Sequence, residues 1–179
     1  MSKSKSKSTS ESKIIEIIPT AEDLKEASNR AAQLGVLPNS FTGGRGRMTG
    51  FLGEVAFQRY YKECKYVGDI SFTHDYELND WKIEIKSKTC SSKPKLEYTV
   101  SVNGADNKEW LNDIFFFTRV NSSFSRVWLL GWMKRSNYLR RAEYKKAGES
   151  DSDGFTYRSA GYHLPIKQLR RPDSFLGSL

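Results

Sequence analysis

Asp75-Tyr-Glu-Leu-Asn-Asp-Trp-Lys-Ile-Glu-Ile-Lys86 is the stretch on which the reading of this chain turns. Trp81, Ile83 and Ile85 alternate with Lys82, Glu84 and Lys86, the period-two pattern of a strand with one apolar face. Asn79-Asp80 is a tight-turn pair. A preceding strand carrying Ile70, Phe72, Tyr76 and Leu78 is therefore predicted to pair back on it. Residues i and i+2 of a strand share a face, so Glu84 and Lys86 project side by side while Ile83 and Ile85 anchor the other side. With the turn at Asn79-Asp80, Asp75 falls close to opposite Glu84, where two carboxylates repel unless a cation lies between them. Asp69 and Glu77 are rivals for the place of Asp75, and Asp80 reads as a turn residue. The acid-x-Lys tripeptide is itself common here, recurring for example at Asp23/Lys25 and Glu143/Lys145. Its setting in the hairpin gives it weight against the plain alternative, a solvated face carrying Lys82, Glu84, Lys86 and Lys88.

Upstream, a helix is predicted from about Met48 to Cys64. Its apolar residues nearly encircle it, as in a helix buried on much of its surface. Glu54 lies in the middle of that run. A buried carboxylate is costly unless paired or metal-bound; the alternative is that it faces solvent or meets Arg59 or another base. Gly50 and Gly53 thin the helix beside it and permit a close approach of backbone or substrate. Before the helix, Phe41–Arg47 reads as a flexible basic loop in which Arg45 and Arg47 could grip phosphates. It lacks the P-loop frame, and an ordinary loop is the competing reading. Earlier still, Ile14–Ile18 is apolar, and Thr20 caps a helix with Glu22 and Asp23 in its first turn, running to Leu34 and stopping at Gly35.

Downstream, strands are predicted at Glu97–Val102, Asp113–Val120 and Arg126–Met133, the last two apolar enough to be covered on both faces. A short helix over Ser136–Lys145, a polar loop at Gly148–Gly154 and the closing segment Tyr162–Leu169 complete an α/β chain built on a mixed central sheet. Residues 14–179 are expected to form a single domain, and the lysine- and serine-rich residues 1–13 a disordered basic arm. No run reaches the length of a membrane span, and no apolar segment follows the arm as a secretory signal requires. Cys64 and Cys90 fit no zinc spacing; a disulfide between them stays open, and two free thiols of a reducing cytoplasm are the preferred reading. The formal net charge is +8 with a pI near 9.4, which suits a polyanionic partner. His74 and His163 read as ordinary surface or hydrogen-bonding residues, and Trp110, Trp128 and Trp132 as core or its margin.

A carboxylate beside an ammonium on a rigid strand suits phosphodiester hydrolysis, the acid holding a metal and the lysine orienting water or shielding phosphate charge. Gly50-Phe-Leu-Gly-Glu-Val-Ala-Phe57, Asp75-Tyr-Glu-Leu78 and Ile83-Glu-Ile-Lys-Ser87 follow one another in an order that resembles the PD-(D/E)XK nuclease superfamily, over about residues 48–88. The resemblance implies a restriction-endonuclease-like fold and a Mg²⁺-dependent DNA nuclease, by expectation an endonuclease, with Mn²⁺ able to stand in. It implies that Asp75 and Glu84 ligate the metal with the Ile85 carbonyl, that Lys86 is the catalytic lysine, and that Glu54 holds or orients a metal. His74 stands where the family's proline would be. Lys88 occupies a position where relatives carry a polar group, and contacts phosphate or faces solvent. The small size resembles phage or bacterial stand-alone members, acting in the cytoplasm, or the host's for a phage. Cutting both strands would call for a homodimer, though no dimer face is legible. DNA or RNA, the strandedness of the substrate, and endo- or exonuclease action stay open. A catalytically inactive DNA-binding module of the same fold is the alternative function.

Overall fold

The computed structural model describes residues 14–33, 45–68, 71, 73–105, 108–152 and 154–179. Strand β1 (Ile15–Ile17) leads into α1 (Ala21–Gln33) and α2 (Arg45–Tyr60). Then come β2 (Lys65–Tyr66), β3 (Tyr76–Leu78), β4 (Trp81–Cys90), β5 (Thr99–Asn103), β6 (Ile114–Asn121) and β7 (Val127–Lys134). Helix α3 (Arg135–Arg141), β8 (Glu143–Lys145) and β9 (Gly161–Pro165) follow, and short 3-10 turns close the chain. Thr20 caps α1 as predicted: its hydroxyl accepts the Asp23 N–H, and the Asp23 carboxylate accepts the Thr20 N–H.

The central sheet has six strands in the order β1-β7-β6-β4-β3-β2. It is mixed, because β4 and β6 run parallel while every other neighbouring pair is antiparallel. The β3–β4 hairpin turns at Asn79-Asp80, with Leu78 opposite Trp81, and Asn79 takes the positive φ of 52° that the turn requires. Buried strands β6 and β7 lie in the sheet interior, as their apolar runs predict.

Alternation along the strands sorts side chains between two cores. On one face Ile83, Ile85 and Phe116 pack with Leu52, Val55 and Phe57 of α2. On the other, Phe115 and Phe117 pack with Val100, Leu164 and Tyr138. The alternation breaks once. In β7 the register slips between Phe117/Thr118 and their partners, leaving Leu130 as an extra residue beside Gly131. Trp132 therefore joins the core on the α2 side, whereas unbroken alternation would place it with Trp128 and Leu130.

Three expectations change. Helix α2 starts at Arg45, so Arg45 and Arg47 lie in its first turn rather than in a loop. The predicted strand at 97–102 becomes β5 and leaves the central sheet, pairing with β9 in a second sheet of order β5-β9-β8. The helix predicted to reach Lys145 ends at Arg141; Glu143–Lys145 instead pairs with β9, whose backbone groups outbid a last helical turn. The polar loop predicted at Gly148–Gly154 is present, and backbone hydrogen bonds and a Ser150–Thr156 bridge fold its described residues and those after it into a short hairpin. The arm, the C-terminal stop of the first helix, Asp69, Ile70 and Phe72 lie outside the described residues. Both cysteines are free. Among the described residues no helix is long and apolar enough to cross a membrane.

Candidate active site

The site begins where β3 parts from β4. The register that pairs Tyr76 with Ile83 brings Asp75 opposite Glu84. The Asp75 N–H donates to the Ile83 carbonyl at 3.0 Å, and the Asp75 carbonyl accepts from Val67 N–H at 2.9 Å. Its carboxylate turns back to accept the Ile85 N–H at 2.7 Å. A side chain thus takes the place of a strand neighbour, and β4 runs on past β3 with one edge open. Both polar groups of a strand residue leave on the same edge, so the Ile85 carbonyl points to this opening.

Glu84 and Lys86 share the face opposite Ile83 and Ile85, as the period predicts. The Lys86 ammonium lies 2.5 Å from Glu84 Oε1, and the two side chains are 30% and 20% exposed. They are half-buried, whereas Lys82 and Lys88 at the two ends of the same row are exposed, so the solvated-face reading describes the ends of the row and not its middle. Glu77, the described rival to Asp75, is turned aside: its carboxylate meets His74 Nε2 at 3.1 Å. The other ring nitrogen of His74 meets Thr73 and Ser71 hydroxyls, so this histidine is held by local structure.

Glu54 enters from α2. Gly53 lets the helix approach β4 and β6, because a Cβ there would lie 2.1 Å from Ser87 Oγ and 2.5 Å from Thr118 Oγ1. The Glu54 side chain is 12% exposed. Burial raises its pKa, and the charge of Asp75 adds to the effect, with Arg30 opposing. Burial also raises Asp75, followed by the charge of Glu84, while the Ile85 N–H and Lys86 pull the other way. Glu54, Asp75 and Glu84 therefore form one electrostatic cluster. All of its donors are oxygens, the ligand type of a hard cation.

Among the described residues no three acidic, histidine or cysteine side chains stand close enough to form a closed metal cage. Mg²⁺ does not need one. It keeps several waters and commonly takes only one or two carboxylates, with substrate phosphate oxygens filling its shell. Asp75, Glu84 and the Ile85 carbonyl fit that requirement.

Arg30 is the site residue that sequence reading missed. It reaches across from α1, 3.8 Å from Glu54 Oε2, and donates to Gln58 Oε1 at 3.2 Å and Tyr76 Oη at 3.5 Å. Its guanidinium also lies 3.8 Å above the Tyr66 ring. Tyr76 Oη donates to the Glu54 carbonyl at 2.9 Å, tying the hairpin to α2. Arg59, named in the plain alternative as a base Glu54 could meet, instead pairs with Asp23, and the base that Glu54 meets is Arg30. The signal lay in spacing: Asp23, Ala27 and Arg30 recur at helical intervals, and the first two are buried.

Lys88 lies two residues beyond Lys86, on the same face of β4, and opens onto a separate cavity. Arg47 is half-buried in the first turn of α2. No protein-family model matches the chain, and comparison with curated proteins returns no relative.

Proposed function

We propose that this chain is a Mg²⁺-dependent DNA nuclease of the PD-(D/E)XK kind, its α/β architecture a form of the restriction-endonuclease-like fold. The carrying observation is the meeting of Asp75 and Glu84 across the strand split, with Lys86 paired to Glu84 and buried Glu54 sensing both acids. Like charges so placed call for a cation. Asp75, Glu84 and the Ile85 carbonyl would hold Mg²⁺ or Mn²⁺, with Glu54 as a further ligand or as an acceptor for a metal-bound water. When bound, the ion supplies a more acidic water and positive charge against the phosphate.

The protein's own groups do the positioning. Glu84 fixes the Lys86 ammonium at the site. Lys86 there orients the attacking water and shields charge building on the phosphate. Hydrolysis adds the water oxygen to phosphorus and releases one ester oxygen, which leaves as a hydroxyl. Arg30 balances Glu54 and holds it against the hairpin, acting through that carboxylate rather than on substrate. Arg45 and Arg47, at the start of α2, are proposed to meet the DNA backbone.

One observation favours a second reading. Lys86 neutralises Glu84 directly, as suits a DNA-binding module without catalysis. Incubating the protein with Mg²⁺ and plasmid, linear or branched DNA separates the two. The nuclease reading expects cleavage that falls at least about 100-fold in Lys86→Ala. Binding without cleavage, or equal cleavage by wild type and variant, would favour the module.

A further inference from the structure

A cavity of about 470 Å³ opens beside the site, a size in the range of small-ligand pockets. Its floor continues the strand that carries Glu84 and Lys86. Lys88 is the next residue on that face, about 7 Å further along at the usual strand rise, and it is paired in register with Arg119 of β6. The hairpin around 148–157 and the residue after it add Phe155, Tyr157 and Arg158 to the lining.

The lining has two chemistries. Among the described residues, Lys88, Arg119 and Arg158 share the lining with one carboxylate, Asp151. Arg119 is pinned by donating to the Thr99 carbonyl at 2.7 Å. Among the described residues neither Lys88 nor Arg119 has an ion pair with a carboxylate. The second chemistry is aromatic. Phe155 is 60% exposed although large and apolar, its ring lies 5.3 Å from that of Tyr157, and Tyr157 lies 4.7 Å from the His163 ring. His163 Nε2, in the same lining, is buried without a hydrogen-bond partner among the described residues, leaving a polar atom for a ligand to satisfy.

We propose that this cavity receives one unpaired nucleotide of a DNA strand, its phosphate on Lys88 and Arg119 and its base against Phe155 and Tyr157. In a duplex both faces of a base are already stacked on neighbours; a base offered to an aromatic wall must come from a single strand, a flap or a junction. The cavity would therefore select substrates with an unpaired segment and set that segment beside the cleavage centre. This selection rests on the nuclease reading, whereas the binding of the nucleotide does not.

The test uses the whole protein in EDTA, where metal-dependent cleavage is silent. Fluorescence anisotropy measures its affinity for a short labelled single-stranded DNA, the matching blunt duplex, and an abasic strand of equal length. The single strand should bind about 10-fold more tightly than either of the others, and Phe155→Ala should erase most of that preference. Lys88→Ala should weaken all three and lower the salt slope by about 1. Equal affinity of wild type for the single strand and the duplex would overturn the proposal, as would a Phe155→Ala protein that keeps the preference. If the preference is found and Mg²⁺ supports no cleavage, the cavity stands and the nuclease reading falls. If Mg²⁺ supports cleavage and the preference is absent, the reverse holds.

Discussion

At Glu54 and Arg30, burial and charge are set against each other. The carboxylate is 12% exposed and the guanidinium side chain 10% exposed, and they approach to 3.8 Å. Removing the cation leaves Glu54 beside Asp75 with its chief opposing charge gone. Arg30→Ala should therefore cost about 2 kcal/mol, seen as a lower urea midpoint; an unchanged midpoint would show the pair to be idle. The same carboxyl sets a pH dependence. Its folded pKa is raised above the ordinary 4.5, so the native state holds a proton that the unfolded chain has released. Stability then falls as pH climbs from the ordinary value through the raised one. In EDTA, wild type should lose more stability between pH 5 and 8 than Glu54→Gln does, and Mg²⁺ should restore more of the loss in wild type than in the variant. Parallel losses in the two proteins would remove Glu54 from the account.

Among the elements, α2 determines whether the site assembles. Gly53 seats it against Ser87 and Thr118, while Gly50, one turn earlier, has nothing within 4 Å of where its Cβ would lie. Gly53→Ala should cost about 1–3 kcal/mol by overpacking and lower cleavage further by lifting Glu54 off the strands. Gly50→Ala should gain about 0.5–1 kcal/mol from helix propensity. Chemical denaturation of both variants, with a cleavage assay alongside, checks the contrast; equal effects would mean that Gly53 is not the contact that seats the helix. Local chemistry also explains which elements were legible. Asn79-Asp80 and the alternation from Trp81 to Lys86 set the hairpin register, and with it the meeting of Asp75 and Glu84, without tertiary information. The Thr20 cap was legible for the same reason. Arg30 was not, because its value comes from Tyr66, Tyr76 and Glu54, which folding brings to it. The departure of β5 to a second sheet and the conversion of Glu143–Lys145 to a strand depend on β9, distant in sequence. The slip at Gly131 is one residue long, and alternation within β7 gives no warning of it.

Across the whole molecule, the central sheet is lined on one face by the core shared with α2 and on the other by the core shared with α3, β5 and β9. The acidic centre and the basic cavity follow one another along β4, so a strand entering the cavity would pass the carboxylates. With a formal net charge of +8, affinity for DNA should fall steeply between about 50 and 200 mM salt; a flat isotherm would indicate a partner other than a polyanion. The central claim is the metal-dependent cut at Asp75, Glu84 and Lys86. The most direct test is the single-turnover rate of DNA cleavage measured against Mg²⁺ concentration for wild type and Asp75→Asn, each at saturating protein. The account predicts a rate that rises and saturates with Mg²⁺ in wild type and lies at least about 100-fold lower in Asp75→Asn, with DNA affinity retained. A rate independent of Mg²⁺, or equal in the two proteins, would contradict it.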